Sequence, residues 1–179
     1  TGVLIIKKVE NQALIFNVIH PVINYINSQT HIQHVGVIGT NATISSDIYR
    51  THINTLRKDI TVSSLATPLL ASLIEEDNKI LYQKGIVESY LENHKLKNID
   101  SLILGCTHYP LIEKQINHFY DKKVEIISAI KYIGHSVKKM LKQNNLLNQK
   151  NTKHKHYFYV SDYTENFQKK TKLFFPKSI

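Results

Sequence analysis

Apolar positions along the chain fall into short continuous runs that alternate with longer segments of helical spacing. The runs predict strands at residues 13–19, 35–39, 59–63, 101–105, 124–127 and 157–160. The segments of helical spacing predict helices at 43–57, 68–74, 78–94, 111–120, 130–143 and 163–174. A polar, lysine-rich stretch at 144–156 predicts a loop. Because strands alternate with helices, we expect an α/β fold with a mostly parallel sheet flanked by helices.

Two of the predicted strands end in glycine and continue into small or hydroxyl-bearing residues. The strand at 35–39 runs into the sequence TNAT, and the strand at 101–105 runs into CTH. In parallel sheets, ligands bind beyond the carboxyl ends of the strands. We therefore expect the functional site at these two strand ends.

Cys106 is the only cysteine of the chain and directly follows a predicted strand. A helix is expected to begin near Pro110, and backbone N–H groups at a helix start stabilise a thiolate. His108 lies two residues further on and can exchange a proton with that thiol. The pattern indicates thiol chemistry, either nucleophilic or proton-transferring, with a buried apolar cysteine as the alternative. Cys-x-His without a second pair at ligand spacing is a poor zinc site, so we predict no bound metal.

Thr40 and Thr43 follow the other glycine-terminated strand and precede a predicted helix. Hydroxyl and backbone N–H donors at such a place can hold a carboxylate or a phosphate. Capping of the helix by Thr43 or Ser45 is the structural alternative.

Three acidic residues, Glu75, Glu76 and Asp77, end the apolar helix predicted at 68–74. Negative charge at the carboxyl end of a helix opposes the helix dipole. Pairing of this end with His108 would offset that cost, and a solvated helix end is the alternative.

Charge and composition exclude several classes of protein. The chain carries 23 Lys and Arg against 14 Asp and Glu, and the whole net charge of +9 falls in residues 111–179. Only two of the basic residues are Arg, so no arginine cluster can read bases or phosphates, and we predict no nucleic-acid partner. No apolar run reaches the roughly 20 residues that a membrane helix needs, so we predict no membrane partner. A single cysteine makes no internal disulfide, so the fold needs no oxidising compartment.

Several of these motifs resemble one family, the glutamate racemases. Residues 105–111, GCTHYPL, resemble the motif of the family's second catalytic cysteine, and aspartate racemases carry a similar one. Three further segments fit the family in order and spacing: 35–43 with Ser46 and Tyr49, 68–75, and 158–162 with Phe167. Thr67 stands where the family has a cysteine.

The resemblance implies a cofactor-independent racemase of two similar α/β domains with the substrate between them. Two cysteines on opposite faces of glutamate would move the α-proton, one removing it as a thiolate while the other donates a proton. On this basis Cys106 is one of the pair, His108 tunes its protonation, and Glu75 orients or balances His108. The residues implied to hold the substrate are Thr107, His108, Thr43 and Thr40. The product, D-glutamate, would supply peptidoglycan synthesis, and the enzyme would be cytoplasmic.

The chain also departs from the family pattern. The early D-S-G and Y-G segments and the A-C-N-T segment with the first cysteine are absent, and residues 1–4 resemble the sequence that follows A-C-N-T. We therefore expect a chain that lacks about the first third of the family's length. It would comprise a complete α/β domain at 21–129 and the remainder of a truncated first domain at 1–20 and 130–179. With one cysteine of the pair, it is predicted to racemise glutamate weakly or not at all.

Other functions fit parts of the pattern and remain alternatives. A non-catalytic remnant or binding module of the same fold needs no second cysteine, and an aspartate racemase would use the same motif. A thiol hydrolase would use Cys106 and His108 with a third orienting group and an oxyanion hole. A nucleic-acid binder would use the basic block at 111–179. The sequence leaves a homodimer open.

Overall fold

The computed structural model describes residues 15–75, 80–148, 157, 159–165, 167, 168 and 171. Its strands are β1 (His34–Gly39), β2 (Thr61–Ala66), β3 (Ser101–Gly105) and β4 (Glu125–Ser128). The helices around them are α1 (His20–Ser28), α2 (Asn41–Ser45), α3 (Ile48–Leu56), α4 (Leu70–Glu75), α5 (Ile80–Leu91), α6 (Glu113–Phe119) and α7 (Ala129–Gln143). Short 3-10 helices lie at His94–Leu96 and Tyr109–Ile112.

The four strands form one parallel sheet in the order β2-β1-β3-β4. The central strand β1 pairs with β2 on one side and with β3 on the other. The register places Gly39 beside both Ala66 and Gly105, so three strands end at the same level. The predicted α/β fold with a parallel sheet between helices is confirmed.

Apolar side chains cover both faces of the sheet, which explains why β1 and β3 read as continuous apolar runs. On one face, Ile38 and Leu104 pack in a cluster with residues of α4, α5 and α6. On the other face, Val37 and Ile103 pack in a cluster with residues of α1 and α3. All four side chains are at most 2% exposed. Close packing on both faces therefore makes the central strands rigid, and with them the carboxyl edge of the sheet.

The helix predicted at 43–57 is two helices, so that prediction is wrong. α2 ends at Ser45 and α3 begins at Ile48. Between them Asp47 has a φ of 47°, in the left-handed region that interrupts a right-handed helix. The side chain of Asp47 accepts a hydrogen bond of 3.0 Å from Arg50 Nε, which holds the carboxylate against the first turn of α3.

Two predicted strands are also wrong where the structure describes them. Residues 15–19 of the strand predicted at 13–19 are irregular, and α1, which the pattern missed, begins at His20 with Pro21 in its first turn. Residues 157, 159 and 160 of the strand predicted at 157–160 are irregular, and Tyr159 is 89% exposed. A strand needs a neighbour for its N–H and C=O groups, and within the described part of the chain neither segment joins the sheet. Residues 13, 14 and 158 lie outside the described residues.

The remaining elements agree with the sequence to within a few residues. β3 has the predicted limits, β2 begins two residues late, and α4 begins at Leu70 after the predicted start at 68. Residues 144–148 are irregular as predicted, and 165, 167, 168 and 171 are helical; 78, 79, 149–156 and 172–174 lie outside the described residues. The domain limits at 21–129 stay a prediction. In the part of the chain that the structure describes, no helix is long and apolar enough to cross a membrane.

Candidate functional site

A cysteine, a histidine and a carboxylate contact one another in sequence at the carboxyl edge of the sheet, and we call this contact chain the Cys106 line. Cys106 follows β3 directly, and its Sγ lies 3.6 Å from His108 Nδ1. The other ring nitrogen, His108 Nε2, lies 2.7 Å from Glu75 Oε1. The side chains of His108 and Glu75 are 25% and 40% exposed, so the pair is only partly desolvated. Sequence analysis singled out all three residues, and the fold brings them together.

The backbone after β3 fixes the spacing of Cys106 and His108. Tyr109 N donates to the carbonyl of Cys106 at 3.3 Å, and Leu111 N donates to the carbonyl of His108 at 3.1 Å. Pro110 lies in the first turn of the 3-10 helix that follows, where its missing N–H costs nothing. This tight turn aims the thiol and the imidazole towards the same side of the sheet edge.

Glu75 reaches the site because it is the last residue of α4. A carboxylate at the end of a helix opposes the helix dipole, and the contact with His108 compensates for this. The sequence left two readings of this acidic end, pairing with His108 or a solvated terminus. In the structure Glu75 pairs with His108 while its carboxylate stays partly exposed. Glu76 and Asp77 lie outside the described residues.

Thr40 and Thr43 are neighbours at the start of α2, after β1. Thr40 is the N-cap, because its Oγ1 accepts a 3.3 Å hydrogen bond from Thr43 N. The capping alternative therefore named the wrong residues, Thr43 and Ser45, which lie inside the helix. Thr43 Oγ1 lies 3.1 Å from Thr40 Oγ1 and donates to the carbonyl of Gly105 at 3.4 Å. The hydroxyls of the first strand end thus contact the backbone of the second, and their predicted role in holding a carboxylate stays a prediction.

Close packing of α2 on the sheet explains the two glycines at the strand ends. A Cβ on Gly105 would lie 2.7 Å from the carbonyl oxygen of Ile38 and 3.3 Å from Thr43 Cγ2. A Cβ on Gly39 would lie 3.1 Å from two side-chain carbons of Thr43. Thr43 can approach the sheet edge only because neither position carries a side chain.

A cleft of about 90 Å³ opens beside Cys106. Its lining is mostly apolar and includes Tyr49, Thr107, Pro110 and Ile130. Ile130 is 63% exposed, so one wall of the cleft faces solvent. Burial raises the pKa of Tyr49 to about 12. Thr107 is exposed and lines the cleft beside Cys106.

A fully buried pair beneath the site was missed by the sequence analysis. The hydroxyls of Tyr109 and Thr67 lie 2.6 Å apart, and Tyr109 also donates to the carbonyl of Thr67 at 3.1 Å. Both residues are 0% exposed, and burial raises the pKa of Tyr109 to about 12. The available signal was weak: Tyr109 belongs to the GCTHYPL motif, and Thr67 directly precedes the helix predicted at 68–74.

A second histidine–carboxylate pair lies at the opposite, amino-terminal edge of the sheet. Glu125 Oε2 lies 3.4 Å from His31 Nε2, and the other carboxylate oxygen accepts a short hydrogen bond from the Tyr25 hydroxyl. That bond to Glu125 and burial raise the pKa of Tyr25 above its usual range. The Tyr25 ring stacks on Tyr132 with centroids 4.5 Å apart.

Metal ligation has no support in the part of the chain that the structure describes. No group of three His, Cys, Asp or Glu side chains there is placed to hold an ion. The Cys106–His108–Glu75 line is suited instead to moving a proton between the cleft and the imidazole.

Comparison with known proteins identifies relatives of this arrangement. A family model described as Asp/Glu/Hydantoin racemase matches residues 15–133. The chain is 34% identical over 149 residues to a glutamate racemase of Chlorobaculum parvum, covering 82% of this chain and 54% of the relative. It is 36% identical over 152 residues to a glutamate racemase of Caldanaerobacter subterraneus, covering 84% of this chain and 57% of the relative.

Solved structures of similar proteins agree. Glutamate racemase isoform RacE1 from Bacillus anthracis superposes with a TM-score of 0.88 at 29% identity. The match covers 99% of this chain and 66% of the RacE1 chain. Glutamate racemase from Francisella tularensis, solved in complex with D-glutamate, superposes with a TM-score of 0.85 at 31% identity, covering 98% and 65%.

The extent of these matches decides what they establish. The chain spans about half the length of the curated relatives that it matches. The family model nevertheless covers well over half of this chain, including β1 to β4 and the residues Glu75, Cys106 and His108. The chain therefore belongs to the Asp/Glu/hydantoin racemase family.

Proposed function

We propose that this chain carries one of the two proton-transfer cysteines of a cofactor-independent glutamate racemase. The observation that carries the proposal is the line of Cys106 Sγ, the His108 ring and Glu75 Oε1 in a member of the racemase family. A thiol beside a cleft, with an imidazole to exchange its proton, is what removal of an α-proton needs.

The proton inventory of the proposed step is simple. His108 takes the thiol proton from Cys106, and Glu75 stabilises the cationic ring that results. The thiolate then removes the α-proton of glutamate from one face, and the electron pair stays on the α-carbon and its carboxylate. A second acid, on the opposite face, returns a proton and inverts the stereocentre. This chain has only one thiol to offer, so the second group has to come from elsewhere in a complete enzyme.

Substrate binding in this proposal uses the donors around the same edge. Thr107, at the rim of the cleft, and His108 would hold one end of glutamate, and the hydroxyls of Thr40 and Thr43 would hold a carboxylate. Support for glutamate comes from the relatives, which are glutamate racemases, one of them solved with D-glutamate. We extend the proposal to the supply of D-glutamate for peptidoglycan in the cytoplasm, with no cofactor, and to a homodimer as the assembly.

The decisive experiment follows proton exchange and inversion separately. This chain is incubated with L- or D-glutamate in D₂O; deuterium at the α-carbon is measured by NMR, and enantiomers are resolved by chiral chromatography. We expect little or no inversion, because one thiol serves one face. Rapid interconversion of both enantiomers by this chain would contradict the two-cysteine scheme. In a longer protein that supplies the second cysteine, inversion is expected, and Cys106→Ser should abolish it.

A thiol hydrolase is a second candidate because Glu75 supplies the third orienting group that such an enzyme needs. A hydrolase would form an acyl thioester on Cys106, whereas a racemase forms no covalent intermediate. Mass spectrometry of the chain after incubation with activated esters separates the two. An acyl adduct on Cys106 that accumulates and is then hydrolysed by water would favour the hydrolase.

A further inference from the structure

The buried Thr67–Tyr109 pair joins the two segments that carry Glu75 and His108. Tyr109 directly follows His108, and Thr67 precedes α4, whose last residue is Glu75. The carbonyl of Thr67 accepts both the first N–H of α4, from Leu70 at 3.1 Å, and the Tyr109 hydroxyl at 3.1 Å. The carbonyl of Thr67 therefore binds both the start of α4 and the turn that carries His108 and Tyr109.

Thr67 is tied to the third strand end as well. Its backbone N donates to the carbonyl of Gly39 at 2.8 Å, and its Oγ1 donates to the same carbonyl at 3.2 Å. Gly39 precedes Thr40, the N-cap of α2. The Thr67 hydroxyl is thus shared between Gly39 and Tyr109, and it links the ends of β1, β2 and β3 in one buried network.

We propose that Thr67 and Tyr109 are positioning residues that set the distance between Cys106, His108 and Glu75. Neither residue lines the cleft, since both are completely buried, so they act through the residues beside them. The role fits Thr67 in particular. Its hydroxyl donates to Gly39 and accepts from the single Tyr109 O–H, which is shared between Thr67 Oγ1 and the Thr67 carbonyl. The thiol expected at this position is a weak donor and acceptor. The inference rests on the proposed function only in taking the Cys106 line as the reacting group.

Cys106 offers a readout that does not depend on turnover. It is the only thiol of the chain and lines the cleft, so alkylation by iodoacetamide reports on this one atom. The rate at neutral pH depends on the imidazole that shares the thiol proton, whereas at alkaline pH every thiol is ionised. The ratio of the neutral to the alkaline rate therefore measures how well His108 is held against Cys106.

The test compares Tyr109→Phe and Thr67→Val with two matched controls. Each of the two variants is expected to lower the neutral-to-alkaline rate ratio about threefold to tenfold, because one hydrogen bond of the network is lost. Thr67→Ser keeps the hydroxyl and should restore the ratio to within about twofold of the parent chain. Tyr120→Phe removes another buried hydroxyl, one without a partner among the described residues, and should leave the ratio unchanged.

Two outcomes would overturn the inference. One is an unchanged ratio in Tyr109→Phe or Thr67→Val while cooperative unfolding is retained. The other is an equal fall in Tyr120→Phe, which would assign the effect to general loosening of the core. If Tyr109→Phe does not fold, Thr67→Val against Thr67→Ser decides alone. Because no step requires glutamate to turn over, a failed racemase assay leaves this result standing, and a failed alkylation result leaves the racemase proposal standing.

Discussion

The two edges of the sheet hold the same chemical pair in different surroundings. At the amino-terminal edge, Glu125 contacts His31 and accepts from Tyr25. Asp100 at that edge accepts backbone N–H groups of residues 33 and 34 at 2.8 and 2.7 Å. At the carboxyl edge, Glu75 contacts His108 at 2.7 Å, and the line continues to a thiol beside a cleft.

The difference teaches that a histidine–carboxylate pair does not mark a site by itself. At the amino-terminal edge the partly exposed carboxylates accept hydrogen bonds from the Tyr25 hydroxyl and from backbone N–H groups. At the carboxyl edge the pair leads to a thiol beside a cleft, Cys106 Sγ. A candidate functional site differs from a structural pair in two ways: the histidine contacts a reactive group, and that group lines a cleft.

The largest expected effect tests the end of that line. Under the proposed function, Cys106→Ser should lower α-proton exchange by this chain, or racemisation in a protein that joins it to the proposed second cysteine. The expected loss is about 10²-fold to 10⁴-fold, the usual share of a general base. Thermal unfolding should change little, because Cys106 is only partly buried and the substitution is nearly isosteric. Activity that survives in Cys106→Ser would assign the chemistry to another residue.

Packing at the carboxyl edge gives the next largest effect. Gly105→Ala should lower the free energy of unfolding by about 1–3 kcal/mol, because the new Cβ meets a backbone carbonyl at 2.7 Å. Gly134→Ala is the control: Gly134 lies inside α7, and no neighbour among the described residues comes within 4 Å of the added carbon. It should stabilise the chain by about 0.4–1 kcal/mol. Urea denaturation measures both, and equal effects would contradict the close approach of Gly105 to the Ile38 carbonyl.

The two carboxylates should separate chemistry from stability. Glu75→Gln keeps an acceptor for His108 but loses the charge, so the neutral alkylation rate of Cys106 should fall about tenfold. Glu125→Gln should leave that rate unchanged and lower the free energy of unfolding by about 1 kcal/mol, through the weakened bond from Tyr25. The opposite result, with Glu125→Gln lowering the alkylation rate and Glu75→Gln lowering only the free energy of unfolding, would place the functional pair at the amino-terminal edge.

Alkaline pH tests the three buried tyrosine hydroxyls. The pKa of Tyr49, Tyr109 and Tyr120 is raised to about 12 by burial, against about 10 in an unfolded chain. Below about pH 10 both states keep these protons, so their contribution to stability is complete; above it the unfolded state ionises first. The free energy of unfolding should therefore fall between about pH 10 and pH 12. Urea denaturation across this range checks it, and Tyr109→Phe should make the fall shallower.

The sequence predicted the fold best where burial is complete. β3 has its predicted limits because an apolar run buried on both faces ends abruptly at Gly105. β2 is an edge strand with a weaker pattern of exposed and half-buried residues, and its start was placed too early. The left-handed Asp47 leaves no trace in an apolar period, so the break between α2 and α3 could not be seen.

Contacts within the site could be predicted best between residues that lie close together in the sequence. Cys106 and His108 are two residues apart, and a motif holds them together. The contact of Glu75 with His108 depends on how α4 packs, so the sequence could offer it only as one of two readings. Thr67 and Tyr109 are 42 positions apart, and their bond exists only once three strand ends have been brought level. Side chains that act through tertiary geometry carry little signal in a single sequence.

The order of the strands has a consequence for how this chain folds. All pairings in the described sheet are parallel, and the central pair joins Val35 to Ser101, which is 66 positions further along the chain. No hairpin can nucleate such a sheet, and closing so long a loop costs chain entropy before any contact repays it. We therefore expect β1 and β2, which are closer in sequence, to associate before β3 inserts beside β1. The turn that presents Cys106 would then take its final shape late in folding.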